Sequence, residues 1–130
     1  AFVAAYKHSP FFDYYADEFH RFFEQKYVFL FDFNLDLCEW VCQQIDMQPR
    51  LIPTDDYVEE SETADDFRER IHPKRDFREA DKEFVPKPYY QVFDQKLGFL
   101  PNLSVIDLLF NMGPESLLVL RDSIGSFNEF

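Results

Sequence analysis

Glycine is scarce in this chain, and two of its three glycines fall in one stretch, Gly98–Ser116, GFLPNLSVIDLLFNMGPES, with two of its eight prolines. Glycine reaches the positive-φ geometry that closes a helix, and proline suits the first position of the next one. The stretch therefore reads as turn, helix, tight turn, helix. Gly98 stops the helix before it. Ser104 and Asp107 form an S-x-x-D pair resembling a capping box, Asn102 is the competing cap, and Leu103 and Leu108 can clamp across the cap as a staple. Leu103, Ile106, Leu109 and Phe110 are the apolar positions. Asn111-Met112-Gly113 ends this helix, Pro114 opens the last one, and Glu115 occupies its favourable first turn. Leu117, Leu118 and Leu120 continue the core.

The remaining chain reads as helices joined by irregular segments. Phe2 to Lys7 is helical, and Ser9-Pro10 is a strong start for a second helix over Pro10–Gln25, with Phe12, Tyr15, Phe19 and Phe22 as its buried stripe. Asp17 and Arg21 form a favourable i,i+4 pair on another face. Lys26–Phe33, KYVFLFDF, is either a short strand or a buried helical link. Asp32 or Asn34 caps a third helix over Asn34–Met47, where Leu35, Cys38, Cys42 and Ile45 are buried, widened by Trp40 and Val41. Zinc needs four ligands, so Cys38 and Cys42 read as buried apolar thiols, and no metal is expected. Pro49–Thr54 can be at most an edge strand. Asp55–Asp66 holds seven acids and no base and reads as a solvated loop. It lacks the glycine and spacing of a calcium loop. Phe67–Ile71 is a helical turn. Arg68, Arg70, Lys74, Arg75 and Arg78 lie close together and could hold a phosphate or carboxylate, but the simplest reading pairs them with the acids just before. Asp76–Lys87 is irregular linker, and Tyr89 begins a short helix to Lys96.

Composition sets the limits. The 130 residues fit one mostly helical domain, of mainly α class: a multi-helix, bundle-like fold on an aromatic core with at most one or two short strands. Aromatic residues make up 19%, so the rings need a core, a groove or a partner surface. The net charge of −12 disfavours nucleic acid and anionic lipid as partners. No segment is apolar for long enough to insert in a membrane. Two cysteines and no leader pattern suggest a reducing, cytoplasmic setting, so the sequon Asn102-Leu103-Ser104 reads as chance. The chain opens on Ala1 in helical pattern and reads as a piece of a longer protein, cut or processed. The residues name no cofactor.

In order along the chain, SPFFDYYADE, FDFNL, IHPKR, PYYQVF and GFLPNLSVIDLLFNMGPES resemble the C-terminal part of the WbqC-like protein family, and most closely its Bacteroides-type members. The likeness covers most of the chain. It implies a context of O-antigen and polysaccharide biosynthesis and, for some members, aminoacyl or glycyl transfer to a sugar. It also implies an absent N-terminal half with an aromatic- and proline-rich motif and an arginine- and asparagine-rich segment, which this chain would contact. Two readings follow. One is a transferase acting on sugar or sugar-nucleotide intermediates. There, His72, Lys74 and Arg75 would hold a phosphate or carboxylate. Tyr89, Tyr90 and Gln91 would stack on and hydrogen-bond a sugar. Asn102, Asp107 and Asn111 would supply polar groups, with His72 and Asp107 the catalytic candidates and Asp107 a general base. For Asp107 and Asn111, helix capping is the simpler account. The other reading is a non-catalytic helical interaction module, self-associating through its surplus aromatic surface.

Overall fold

The computed structural model describes residues 1–59 and 64–125. The fold is mainly α. Helix α1 spans Phe2–Tyr6, α2 Phe12–Glu24, α3 Leu30–Gln44, α4 Phe77–Ala80, α5 Asp94–Leu97, α6 Val105–Met112 and α7 Ser116–Asp122. A single 3-10 turn, Gly113–Glu115, joins α6 to α7. The described residues form no ladder beyond one antiparallel bridge, Phe84 to Ile124.

The core is aromatic and centres on α6. Phe110 is fully buried, and its ring meets those of Tyr6, Phe12, Tyr15 and Phe19 at centroid distances of 5.2, 5.4, 6.5 and 5.4 Å. The α2 stripe falls where its spacing predicts: Phe12, Tyr15 and Phe19 are buried, and Phe22 packs against the cluster. The backbone locks the same contact, since Phe11 N–H donates to the Phe110 carbonyl at 2.9 Å. Trp40 and Val41 from α3, with Ile45 just past its end, close the cluster, and Trp40 Nε1 donates to Glu18 on α2 at 2.8 Å.

Several local expectations are corrected. Ser9 does not begin α2. Its hydroxyl donates to the Tyr6 carbonyl at 2.6 Å and ends α1, so α2 starts two residues after Pro10. Asp17 and Arg21 make no ion pair, and the closed pair on α2 is His20–Glu24 at 3.0 Å. Helix α3 begins at Leu30, so neither Asp32 nor Asn34 caps it, and KYVFLFDF is neither strand nor buried link. The buried face also differs from the expected one, centring on Leu37, Trp40 and Val41: Leu37 packs on the core, Leu35 is half-buried, Cys38 is exposed and Cys42 only half-buried. Burial and its Cys38 neighbour push the Cys42 thiol up. Pro49–Thr54 is an exposed loop without strand pairing. Leu118 faces solvent. The linker over Asp76–Lys87 contains α4, capped by Asp76, whose carboxylate accepts from Arg78 N–H at 2.9 Å. Its far end is pinned to the chain after α7, with Val85 N–H on the Ser123 carbonyl at 2.8 Å and Gly125 N–H on the Glu83 carbonyl at 2.7 Å. Part of the acidic run, residues 60–63, lies outside the described residues.

Candidate functional site

Ser104, not Asn102, caps α6: its side chain accepts from Ile106 N–H at 3.2 Å, and Asn102 sits before it at φ 59°. The capping box is left half-made. Asp107 does not turn back to Ser104 N–H. Asp107 is only 6% exposed, and its carboxylate accepts from Tyr89 OH at 2.6 Å and from Gln91 Nε2 at 3.5 Å.

Tyr89 and Gln91 reach Asp107 because the predicted helix over Tyr89–Lys96 does not form at its start. Helix α5 begins only at Asp94, and Gly98, at φ 67°, ends it. Before α5 the chain is irregular, and the buried Gln91 side chain substitutes for backbone pairing. Its Nε2 donates to the Leu100 carbonyl at 2.9 Å, and its Oε1 accepts from Leu100 N–H at 2.9 Å. This clamp holds residues 91 and 100 together and presents the amide edge to Asp107. Tyr89 is steadied by Phe99 at 5.3 Å between rings.

Tyr6 completes the group. Burial, reinforced by the Asp107 charge and a hydrogen bond to it, pushes the Tyr6 phenol up to about 12. Burial and the hydrogen bond to Asp107 also push Tyr89 up. Both phenols are thus held protonated as donors. Because the folded pKa of Tyr6 lies above its ordinary value of 10.0, the unfolded chain gives up this proton first, and the stabilisation is complete below that value. Stability is therefore expected to fall between pH 10 and about 12. Thermal unfolding across this window, followed with tyrosinate absorbance, should show Tyr6 and Tyr89 ionising late and together with unfolding.

Two clefts flank Leu103, which lines both. The inner one, about 180 Å³, is lined by Tyr6, Gln91, Phe93, Leu100 and Asp107 among others. The outer one, about 720 Å³, is lined by His72, Arg75 and Asn102 among others. The candidates thus divide. Gln91 and Asp107 line one cleft, with Tyr89 bonded to Asp107 behind it. His72, Arg75 and Asn102 line the other. Lys74 and Tyr90 are exposed and line neither, although Lys74 N–H donates to His72 Nδ1 at 3.1 Å. Asn111 lies 2% exposed beneath Asp107, donating to its carbonyl at 2.8 Å, and its own Oδ1 has no partner among the described residues.

The basic stretch divides as well. Arg68 is engaged by Asp66, whose carboxyl it holds down at about 2. Arg70 meets Asp65 at 3.9 Å and Arg78 meets Asp76 at 3.8 Å. Pairing with the acidic run thus accounts for Arg68 and in part for Arg70, but not for Arg75. Tyr6 was missed by the sequence reading, and Arg70 was legible only as one of the basic cluster. Tyr6 has no local signal, since its partner lies near the other end of the chain.

Among the described residues no helix is long and apolar enough to cross a membrane, and no three metal-ligating side chains gather. The model of the WbqC-like protein family matches residues 1–73 and 67–119. No curated protein and no solved structure matches the chain. With nearly its whole length matched, the chain belongs to the WbqC-like protein family.

Proposed function

We propose that the protein is a cytoplasmic transferase that moves an aminoacyl group, glycyl or similar, onto an amino group of a sugar intermediate in O-antigen or surface polysaccharide synthesis. The observation that carries this reading is the buried Asp107 carboxylate at a small cleft, held by Tyr89 and Gln91 beside the Tyr6 phenol. A carboxylate so oriented is suited to general-base work. The sugar amine attacks the carbonyl carbon of an activated aminoacyl ester or thioester. The new C–N bond forms, the C–O or C–S bond breaks, Asp107 accepts the amine proton, and the leaving oxygen or sulfur receives it. The Tyr6 phenol, whose one proton is directed at Asp107, helps to fix the carboxylate beside the attacking amine. His72 and Arg75, in the adjoining cleft, hold the anionic part of the sugar substrate.

Transfer of a labelled glycyl group to an amino sugar, followed by mass spectrometry, tests the reading. Asp107→Asn, which keeps the shape, should lower kcat by about 10²–10⁴-fold with little change in KM. Undiminished transfer by Asp107→Asn would overturn it.

One observation favours a non-catalytic interaction module instead. Val28, Phe29, Leu30 and Phe31 are 87%, 66%, 72% and 57% exposed in sequence, an apolar surface of the kind that marks a partner site. Light scattering tests this: self-association supports it, and a dispersed monomer at high concentration counts against it.

A further inference from the structure

The outer cleft contains groups that acyl transfer leaves unused. At about 720 Å³ it is the size of sites that enclose a whole cofactor-sized ligand. Two guanidinium groups, Arg70 and Arg75, face one carboxylate, Asp81, so its lining is net positive in a chain of net charge −12. Arg70 has a long, exposed contact to Asp65 and lies over the Phe67 ring at 5.4 Å, and Arg75 has no ion-pair partner among the described residues. His72 Nδ1 is occupied by Lys74 N–H, which leaves Nε2 as the imidazole donor. Phe77 and Phe84 also line the cleft, their ring centroids 5.6 Å apart.

These groups separate a bare anion from a nucleotide. Guanidinium groups alone suit phosphate, and a carboxylate among them repels it. A carboxylate does suit the paired hydroxyls of a ribose, which donate to it. One Asp81 oxygen accepts from Glu83 N–H at 3.1 Å, leaving the other open to a diol. Aromatic rings beside such a group suit a nucleobase, whose flat face stacks on them.

We propose that the outer cleft binds the nucleoside diphosphate half of a nucleotide-activated sugar. Arg70, Arg75 and His72 take the diphosphate, Asp81 the ribose, and Phe77 and Phe84 the base. The sugar then passes Leu103, common to both clefts, towards Asp107. The direction of the sugar rests on the acyl-transfer reading; the nucleoside site does not.

Calorimetric titration of the chain with UDP, CDP, GDP and ADP, and with uridine and inorganic pyrophosphate, tests the proposal. At least one nucleoside diphosphate should bind, and at least about tenfold more tightly than pyrophosphate, because base and ribose contacts add to the charge contacts. Arg75→Gln should weaken that nucleotide and pyrophosphate by about 10–100-fold, the usual range for a lost charge-assisted hydrogen bond. Asp81→Asn should weaken the nucleotide but not pyrophosphate. Both side chains are exposed or half-buried, so the variants should fold. Equal affinity for pyrophosphate and every nucleotide, or no binding by any probe, would overturn the proposal. Asp107→Asn separates the two readings: it should leave nucleotide affinity intact while lowering the kcat of transfer by about 10²–10⁴-fold.

Discussion

Phe110→Ala is expected to lower the free energy of unfolding by about 3–5 kcal/mol, the usual cost of deleting a buried phenyl ring. Phe110 is fully buried and is the ring on which Tyr6, Phe12, Tyr15 and Phe19 converge. Removing it opens a cavity at the junction of α1, α2 and α6, and no neighbour can fill the space without leaving its own contacts. Such a loss is a large part of the about 5–15 kcal/mol that holds a typical domain folded. Urea unfolding should show a lower midpoint with an unchanged slope. Tyr6 is one of the four rings, so the variant should also loosen the inner cleft. Phe110→Leu, which keeps most of the volume, should lose much less.

Gly113→Ala is the second large effect, expected at about 2–5 kcal/mol from backbone strain plus displaced packing. Gly113 sits at φ 54°, ψ −127°, a conformation that side-chain-bearing residues avoid. A Cβ there would lie 2.6 Å from ring atoms of Phe11, including the Cγ nearest the backbone, so the ring cannot simply swing aside. Gly98 supplies the control. It too has positive φ, at 67°, but an added Cβ meets nothing within 4 Å. Gly98→Ala should therefore show the strain alone, about 1–3 kcal/mol. Combining Gly113→Ala with Phe11→Ala should cost less than the sum of the single changes, because the clash disappears.

These two glycines were legible in the sequence, as was the α2 stripe, because each depends on neighbours within a turn or two. The Ser104 cap is also local. Asp107 was not legible in the same way. Its spacing from Ser104 suggests a capping box, but the carboxylate is taken by Tyr89 and Gln91, separated from it by 18 and 16 residues. The helix predicted from Tyr89 failed for a related reason: the Gln91 amide replaces the backbone pairing that a helix would have supplied. At α3 the apolar residues of Val28–Phe31 suggested burial, yet they face solvent, so the hydrophobic pattern misplaced the start of the helix. The division of the basic residues between acidic partners and a cleft depends on tertiary position alone.

The most direct measurement is a crystal structure of the chain in complex with a nucleotide-linked amino sugar. The account places the sugar amine within hydrogen-bond reach of Asp107, about 2.6–3.2 Å, with the Tyr6 phenol beside it and Leu103 against the ring. A sugar bound away from Leu103, with its amine in solvent and the Asp107 carboxylate untouched, would contradict it.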